Sequence, residues 1–372
     1  MSEYQFVYFQ AVDRALDDSQ FEFMRRQSTR AQVSRREFTN EYHFGDFHGD
    51  SAEMLRRGFD VHLHYANFGT RRVMFRLPRQ PEMLSACQAD YGIDWIADSS
   101  GPAGILVIDP EADAGSYADA YFDFQDLTAE LAGVREMLIV GDFRPLYIAW
   151  LACCQDDDRE PPVPAGLAEL PSALVEFARF YEIGSDLLAA AAERSPALSD
   201  LDTRSAEAHL HSWVSEQSEA DLRDLVIDLL SDPTPATRTE LLAFIREESD
   251  LPAWPAAEPL RDLSELLAAA DQNRGRRVDA ENRERALARQ ARLKDIAADP
   301  EQVVANVKRL VKQRSTSSYE QAAQELSDLR EALGKPEGAD KAQKVASQLV
   351  RSHPTLNRLK AALRQHGLLP QR

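Results

Sequence analysis

The chain has 372 residues, with 43 Lys+Arg against 62 Asp+Glu, a net charge of −19 at pH 7, 44% hydrophobic residues and 16 Phe. That length and apolar content suit two or three folded domains and exclude a disordered acidic chain. The opening MSEYQFVYFQAVDR meets an acid at Glu3 without a basic leader, and no apolar run reaches the roughly 20 residues of a bilayer span, so a soluble, cytoplasmic, non-membrane protein is expected. The charge is divided along the chain. Residues 1–272 hold 22 Arg and no Lys against 50 Asp+Glu, a net of −28, whereas residues 273–372 hold 21 Lys+Arg against 12 Asp+Glu, a net of +9. An acidic body and a basic tail imply modules with different surroundings. Cys87, Cys153 and Cys154 lack metal-site spacing, and the Cys153-Cys154 pair in the apolar run YIAWLACC reads as buried reduced thiols.

In chain order, Tyr4–Phe9 is apolar on both faces and predicts a central strand. Asp17 and Asp18 open a helix through DDSQFEFMRRQSTRAQ, and residues 37–44 alternate again as a strand. A short helix is expected near 51–58. Strands at 60–66 and 71–77 then flank Asn67-Phe68-Gly69-Thr70, a hairpin signal because Gly69 can take a positive φ. A further strand pair, 93–97 and 104–109, lies across SSGPAG. These elements predict an N-terminal mixed, largely antiparallel sheet with helices, and so the α+β class.

Helical periodicity takes over from about residue 125, at 126–139, 143–154, 171–193, 203–217, 219–231 and 236–248. Two Pro-rich stretches, 156–164 and 249–259, read as exposed connectors, so a folded fragment ending near residue 250 is expected from proteolysis. Residues 260–298 suit one long Arg-rich helix, interrupted only by Gly275. Asp299-Pro300-Glu301-Gln302 then reads as a helix start, with Val303, Val304, Val307, Leu310 and Val311 on one stripe. Ser317 with Glu320 predicts a second capping box, followed by Tyr319, Ala323, Leu326 and Leu329, and Gly334 with Pro336 stops that helix. Short helices near 340–352 and 355–366 complete a helical-hairpin module of the kind that ends helical-repeat arrays. The expected divisions are a 1–125 α+β domain, a 126–250 helical domain, the 260–298 helix and a 299–372 terminal module.

The segments MSEYQFVYFQAVDRAL, EYHFGDFHGD and FDVHLHYANFGTRRVMFRLP, with SEADLRDLVIDLLSDPTPATRTELLAFIRE and LRDLSELLAAA, resemble a family of uncharacterised bacterial proteins. The closing stretches DPEQVVANVKRLVKQRSTSSYEQAAQELSDLREAL and HPTLNRLKAALRQHGLL are similar to the helical tail of some bacterial SWIM-type zinc-finger proteins. The Cys-x-Cys and Cys-x-His pairs of the SWIM zinc motif are absent from the sequence, so the resemblance implies no zinc role, and it brings no activity, cofactor or catalytic residue.

His43, His48, His62 and His64 fall within 22 residues, and a strand would put His62 and His64 on one face with Asp46, Asp50 and Asp60 nearby. The alternative is a polar sheet face, and no motif with defined ligand spacing favours metal. Gly101-Pro102-Ala103-Gly104 precedes a strand, whereas a phosphate loop follows one and opens a helix. No residue is assigned a catalytic role, and no cofactor or metal is expected. Arg274, Arg276, Arg277, Arg283, Arg285, Arg289, Arg292 and Lys294 form the candidate partner-binding segment. It can neutralise phosphates, but residues 273–372 carry a single aromatic, Tyr319, and so offer no stacking platform for single strands. The expected function is a non-enzymatic cytoplasmic adaptor or assembly protein that binds another protein in a bacterial complex. Two other readings stay open: a nucleic-acid-associated protein using residues 274–294, and a metal-dependent enzyme using the histidines.

Overall fold

A computed structural model describes residues 3–43, 45–89, 91–110, 124–155, 158–198, 211–231, 241, 245, 254–258 and 261–370. The chain divides into two compact units, Met1–Arg274 and Gly275–Arg372. The first is α+β, built on a seven-stranded antiparallel sheet, and the second is helical.

The sheet comprises β1 (Gln5–Gln10), β2 (Gln32–Val33), β3 (Glu37–Tyr42), β4 (Val61–Ala66), β5 (Thr70–Leu77), β6 (Ile93–Ala97) and β7 (Gly104–Ile108), in the order β2-β3-β1-β4-β5-β7-β6. β1 lies inside it, paired to β3 and β4, as its two apolar faces require. Phe6 and Tyr8 point into one core; Val7 and Phe9 point into a second core on the opposite face. The second face is roofed by α1 (Asp18–Arg25) and α2 (Ser51–Arg57), which contribute Met24, Met54 and Leu55. Asp17 caps α1 with a reciprocal Gln20 bond, and Gly69 turns the β4–β5 hairpin at φ 131°. Two short elements carry no clear sequence signal: β2, and α3 (Leu84–Cys87).

The first face is roofed by α4 (Phe124–Val140), α5 (Arg144–Cys153) and α6 (Ser172–Phe180). Leu127, Leu131 and Val134 of α4, Trp150 of α5 and Phe177 of α6 share one core with Leu63, Phe75 and Leu106 of the sheet. That core therefore runs across residue 125, where a domain boundary was expected. The single helix expected at 171–193 is divided into α6 and α7 (Ser185–Ala192), because Glu182 adopts φ 55° and the chain turns at Tyr181–Gly184. A helix occupies 211–216 and another Glu219–Ser231; residues 203–210 and most of 236–248 lie outside the described residues.

The Pro-rich connectors differ from expectation over their described residues. β8 (Val163–Pro164) pairs with β9 (Ala256–Ala257), and Arg159 bridges to Asp262. Beneath this pairing Arg261 donates to both oxygens of Glu160 at 2.6 and 2.7 Å, and Tyr147 Oη donates to the same carboxylate. Glu160 is wholly buried and Arg261 nearly so. Leu263, Leu266 and Ala270 then enter the sheet-side core. Exposed linkers would have left a carboxylate and a guanidinium in water; here each supplies the other's charge and hydrogen bonds, which is what makes their burial tolerable.

One helix, Leu263–Ala298, crosses the division between the units and passes through Gly275 without a break. It stops at Asp299, whose side chain accepts from Gln302 N and caps the next helix, Pro300–Lys312. Helices Thr316–Leu333, Glu337–Ser352 and Asn357–Gln365 follow. Their stripes, Val307, Leu310, Val311, Tyr319, Leu326, Leu329, Val345 and Leu359 among them, close a separate apolar core. The cap of the second of these helices is Ser315, which accepts from Ser318 N; the expected Ser317–Glu320 box is displaced by one half-turn because the helix already begins at Thr316.

Candidate partner-binding surface

Ala, Arg, Glu, Gln and Leu dominate residues 271–295, all strong helix formers, so the helix holds without a buried face. All eight predicted basic residues, Arg274 to Lys294, are exposed. The structure sorts them. Arg274 lies against Asp271 at 3.4 Å and Asp186 at 3.9 Å. Arg277 and Arg285 share Glu281 at helical spacing, 3.0 and 3.4 Å away. Arg289 reaches Glu331 at 2.6 Å and Asp328 at 3.2 Å, while Arg292 Nη2 stands 2.9 Å from Asp328 Oδ2. Asp328 is 1% exposed, so these two guanidinium groups clamp the basic helix to Thr316–Leu333 within the terminal unit.

Arg276, Arg283 and Lys294 occupy the opposite side. With Leu287 they fall at i, i+7, i+11 and i+18, a single stripe along the helix. Leu287 is 67% exposed at its middle. Arg283 is exposed and donates from Nε to its own helix at Asp279 O. The one aromatic of the basic region, Tyr319, is buried in the terminal core and has no face to offer a base.

β4 does place His62 and His64 on one face, their ring centroids 6.3 Å apart. His62 is fully buried, stacks on Phe9 at 4.0 Å and donates from Nδ1 to Tyr8 O, while Nε2 has no hydrogen-bond partner. Burial, with smaller contributions from His64 and Arg72, holds its pKa well below the usual imidazole value. His64 Nε2 donates to Gln5 Oε1, and burial beside Arg72 pushes its pKa down to about 4. The three nearby acids have other partners. Asp46 accepts from Gln5, Asp50 caps α2, and Asp60 accepts from the Val12 and Asp13 amides. His43 packs on Tyr4. Among the described residues no group of three or more His, Cys, Asp or Glu side chains is placed to hold a metal ion.

Sequence reasoning missed a cluster of charged side chains at one end of the sheet, around Asp13, Asp60 and Arg135. Its members lie up to 122 residues apart, so no local pattern announces it. Among the described residues no helix is long and apolar enough to cross a membrane. Comparison of the chain with protein-family models, with curated proteins and with solved structures found no match.

Proposed function

We propose that this chain is a non-enzymatic cytoplasmic adaptor or assembly protein that docks an acidic protein surface on the Arg276–Arg283–Leu287–Lys294 stripe. The observation that carries this reading is the mixed basic and apolar stripe itself. Arg276, Arg283 and Lys294 are exposed and lie with the exposed Leu287 along one line, on the side of the helix away from the arginines that meet Glu281 and Asp328. A desolvated apolar anchor flanked by cations suits a protein partner, because Leu287 contributes nothing to phosphate binding and much to a packed interface. The bacterial setting rests on sequence resemblance alone.

The test is a photo-crosslinking residue at position 287 of the full-length protein, expressed in its native cells. A discrete protein adduct is expected, lost when Arg276, Arg283 and Lys294 are all changed to Glu. In parallel, the intact protein is titrated against duplex DNA, single-stranded DNA and structured RNA at physiological ionic strength. Weak binding to all three is expected, because Arg274, Arg277, Arg285, Arg289 and Arg292 already face carboxylates that phosphates would have to displace. Tight nucleic-acid binding abolished by the triple charge reversal would replace the protein-docking reading.

A further inference from the structure

At the end of the sheet where β1 leaves, β4 begins and β5 ends, a cavity of about 340 Å³ is lined by Asp13, Arg14, Asp60, Arg76 and Arg135, with Gly58 and Pro78 in its walls. Arg135 comes from α4 and is 3% exposed. Each of its three nitrogens is already engaged: Nε donates to Arg76 O at 2.7 Å, and Nη1 and Nη2 donate to the two oxygens of Asp13 at 2.9 and 2.7 Å. Its charge is matched by the bidentate pair with Asp13, and it is the structural post of the site.

Two other groups are not satisfied. Asp60 is held rigidly through Oδ2, which accepts from Val12 N at 2.8 Å and Asp13 N at 2.9 Å. Its Oδ1 makes no hydrogen bond among the described residues; the nearest cation, Arg135 Nη2, stands 3.6 Å away. The side chain is 8% exposed, so water does little to make up the deficit. Burial accordingly raises the Asp60 pKa, against the lowering effect of Arg135. Arg76, from β5, is half-buried, and its side chain makes a single bond, from Nη1 to Leu55 O at 3.3 Å. Among the described residues no carboxylate pairs with it. One cavity thus holds an acceptor short of a donor and a cation short of an anion, although the Arg76 amide is itself bonded to Asp60 O.

A simple anion in this cavity would meet Asp13 and Asp60, and a simple cation would meet Arg14, Arg76 and Arg135. Only a molecule carrying both charges leaves neither wall unpaired. We propose that the cavity binds a small zwitterion of the free α-amino-acid class, its ammonium donating to Asp60 Oδ1 and its carboxylate taken by the Arg76 guanidinium. This site is separate from the docking stripe and stands or falls independently of it.

The experiment is calorimetric titration of the full-length protein with each of the common amino acids, with acetate and ethylammonium chloride as single-charge controls. Saturable binding of at least one amino acid is expected, and of neither control. Arg76→Gln and Asp60→Asn should each weaken it by about tenfold or more, the loss of one charge-assisted contact. Asn at 60 keeps an oxygen for the two backbone amides, and Arg76→Gln removes only one side-chain bond, so Arg76→Gln decides the matter if the Asp60 variant fails to fold. Absence of saturable binding by any amino acid overturns the proposal, as does equal binding of a control or undiminished binding by folded Arg76→Gln.

Discussion

Each unit is held together internally by a different kind of contact. In Met1–Arg274 the decisive polar contacts join residues far apart in the chain: Arg261 to Glu160, Arg135 to Asp13, and Arg71 to Glu182 and to Phe180 O. In Gly275–Arg372 consecutive helices pack through apolar stripes, and polar contacts such as Arg289–Asp328 and Lys341–Glu301 join residues 39 and 40 apart. A unit closed by distant, buried charges is intolerant of losing one partner. A unit closed by neighbouring helices spreads its stability over many apolar contacts.

The largest expected effect is on the first unit. A chain ending at residue 250 lacks Trp254, Ala256, Ala257, Arg261, Leu263 and Leu266, which abandons Glu160 in the core and opens its apolar wall. Such a fragment should show no cooperative unfolding transition by circular dichroism, whereas one ending at residue 274 should keep it; a folded 1–250 fragment would deny that the connectors close the core. Arg261→Ala in the full chain isolates the charge and should cost about 3–5 kcal/mol in denaturant unfolding, since one buried partner is left alone.

In the terminal unit the matching change is apolar. Leu326 is fully buried, and Leu326→Ala should cost about 2–5 kcal/mol. Scanning calorimetry should show this loss in the transition of the helical unit, with the sheet unit's transition in place. A shift of both together would mean that the units do not unfold separately.

Acid should separate the units further. His62 and His64 are held neutral in the sheet unit, with folded pKa values below the unfolded value of about 6.5. Their contribution to stability is therefore present above that pH and is lost as pH falls toward the folded values, about 4 for His64. Urea unfolding across pH 7 to 4 should show the sheet unit weakening, and His62→Phe, which keeps a ring against Phe9, should flatten that dependence. An unchanged slope would show that His62 does not govern the acid response. The smallest effect belongs to a cap: Asp299→Ala should cost about 1 kcal/mol, confined to the helical unit, as read from its unfolding midpoint.

The histidine pair and the basic helix illustrate how far local pattern carries. Period-2 alternation on β4 was enough to place His62 and His64 on one face, but their contacts come from β1, through Phe9, Tyr8 O and Gln5, a pairing no spacing announces. The exposure of residues 274–294 follows from their own polarity, yet the engagement of Arg289 and Arg292 depends on Asp328, a carboxylate 36 residues beyond Arg292. The cavity around Asp60 and Arg76 was illegible for the same reason, since it gathers side chains from the exit of β1, the β4–β5 hairpin and α4.

By itself the sequence determined what adjacent residues settle: the strands and their hairpin, the capped α1 and Pro300–Lys312 helices, the unbroken Leu263–Ala298 helix, and the antiparallel α+β architecture with a helical end. Hydrophobic period and capping chemistry act over one to four residues, and both are written out in order along the chain. Only the tertiary structure decided that the two Pro-rich stretches pair with each other, that the helices after residue 124 roof the sheet, and which carboxylate meets which arginine. Those outcomes depend on which groups become buried together. A buried charge or amide must then find its partner wherever the fold brings one, at separations that leave no periodic trace in the sequence.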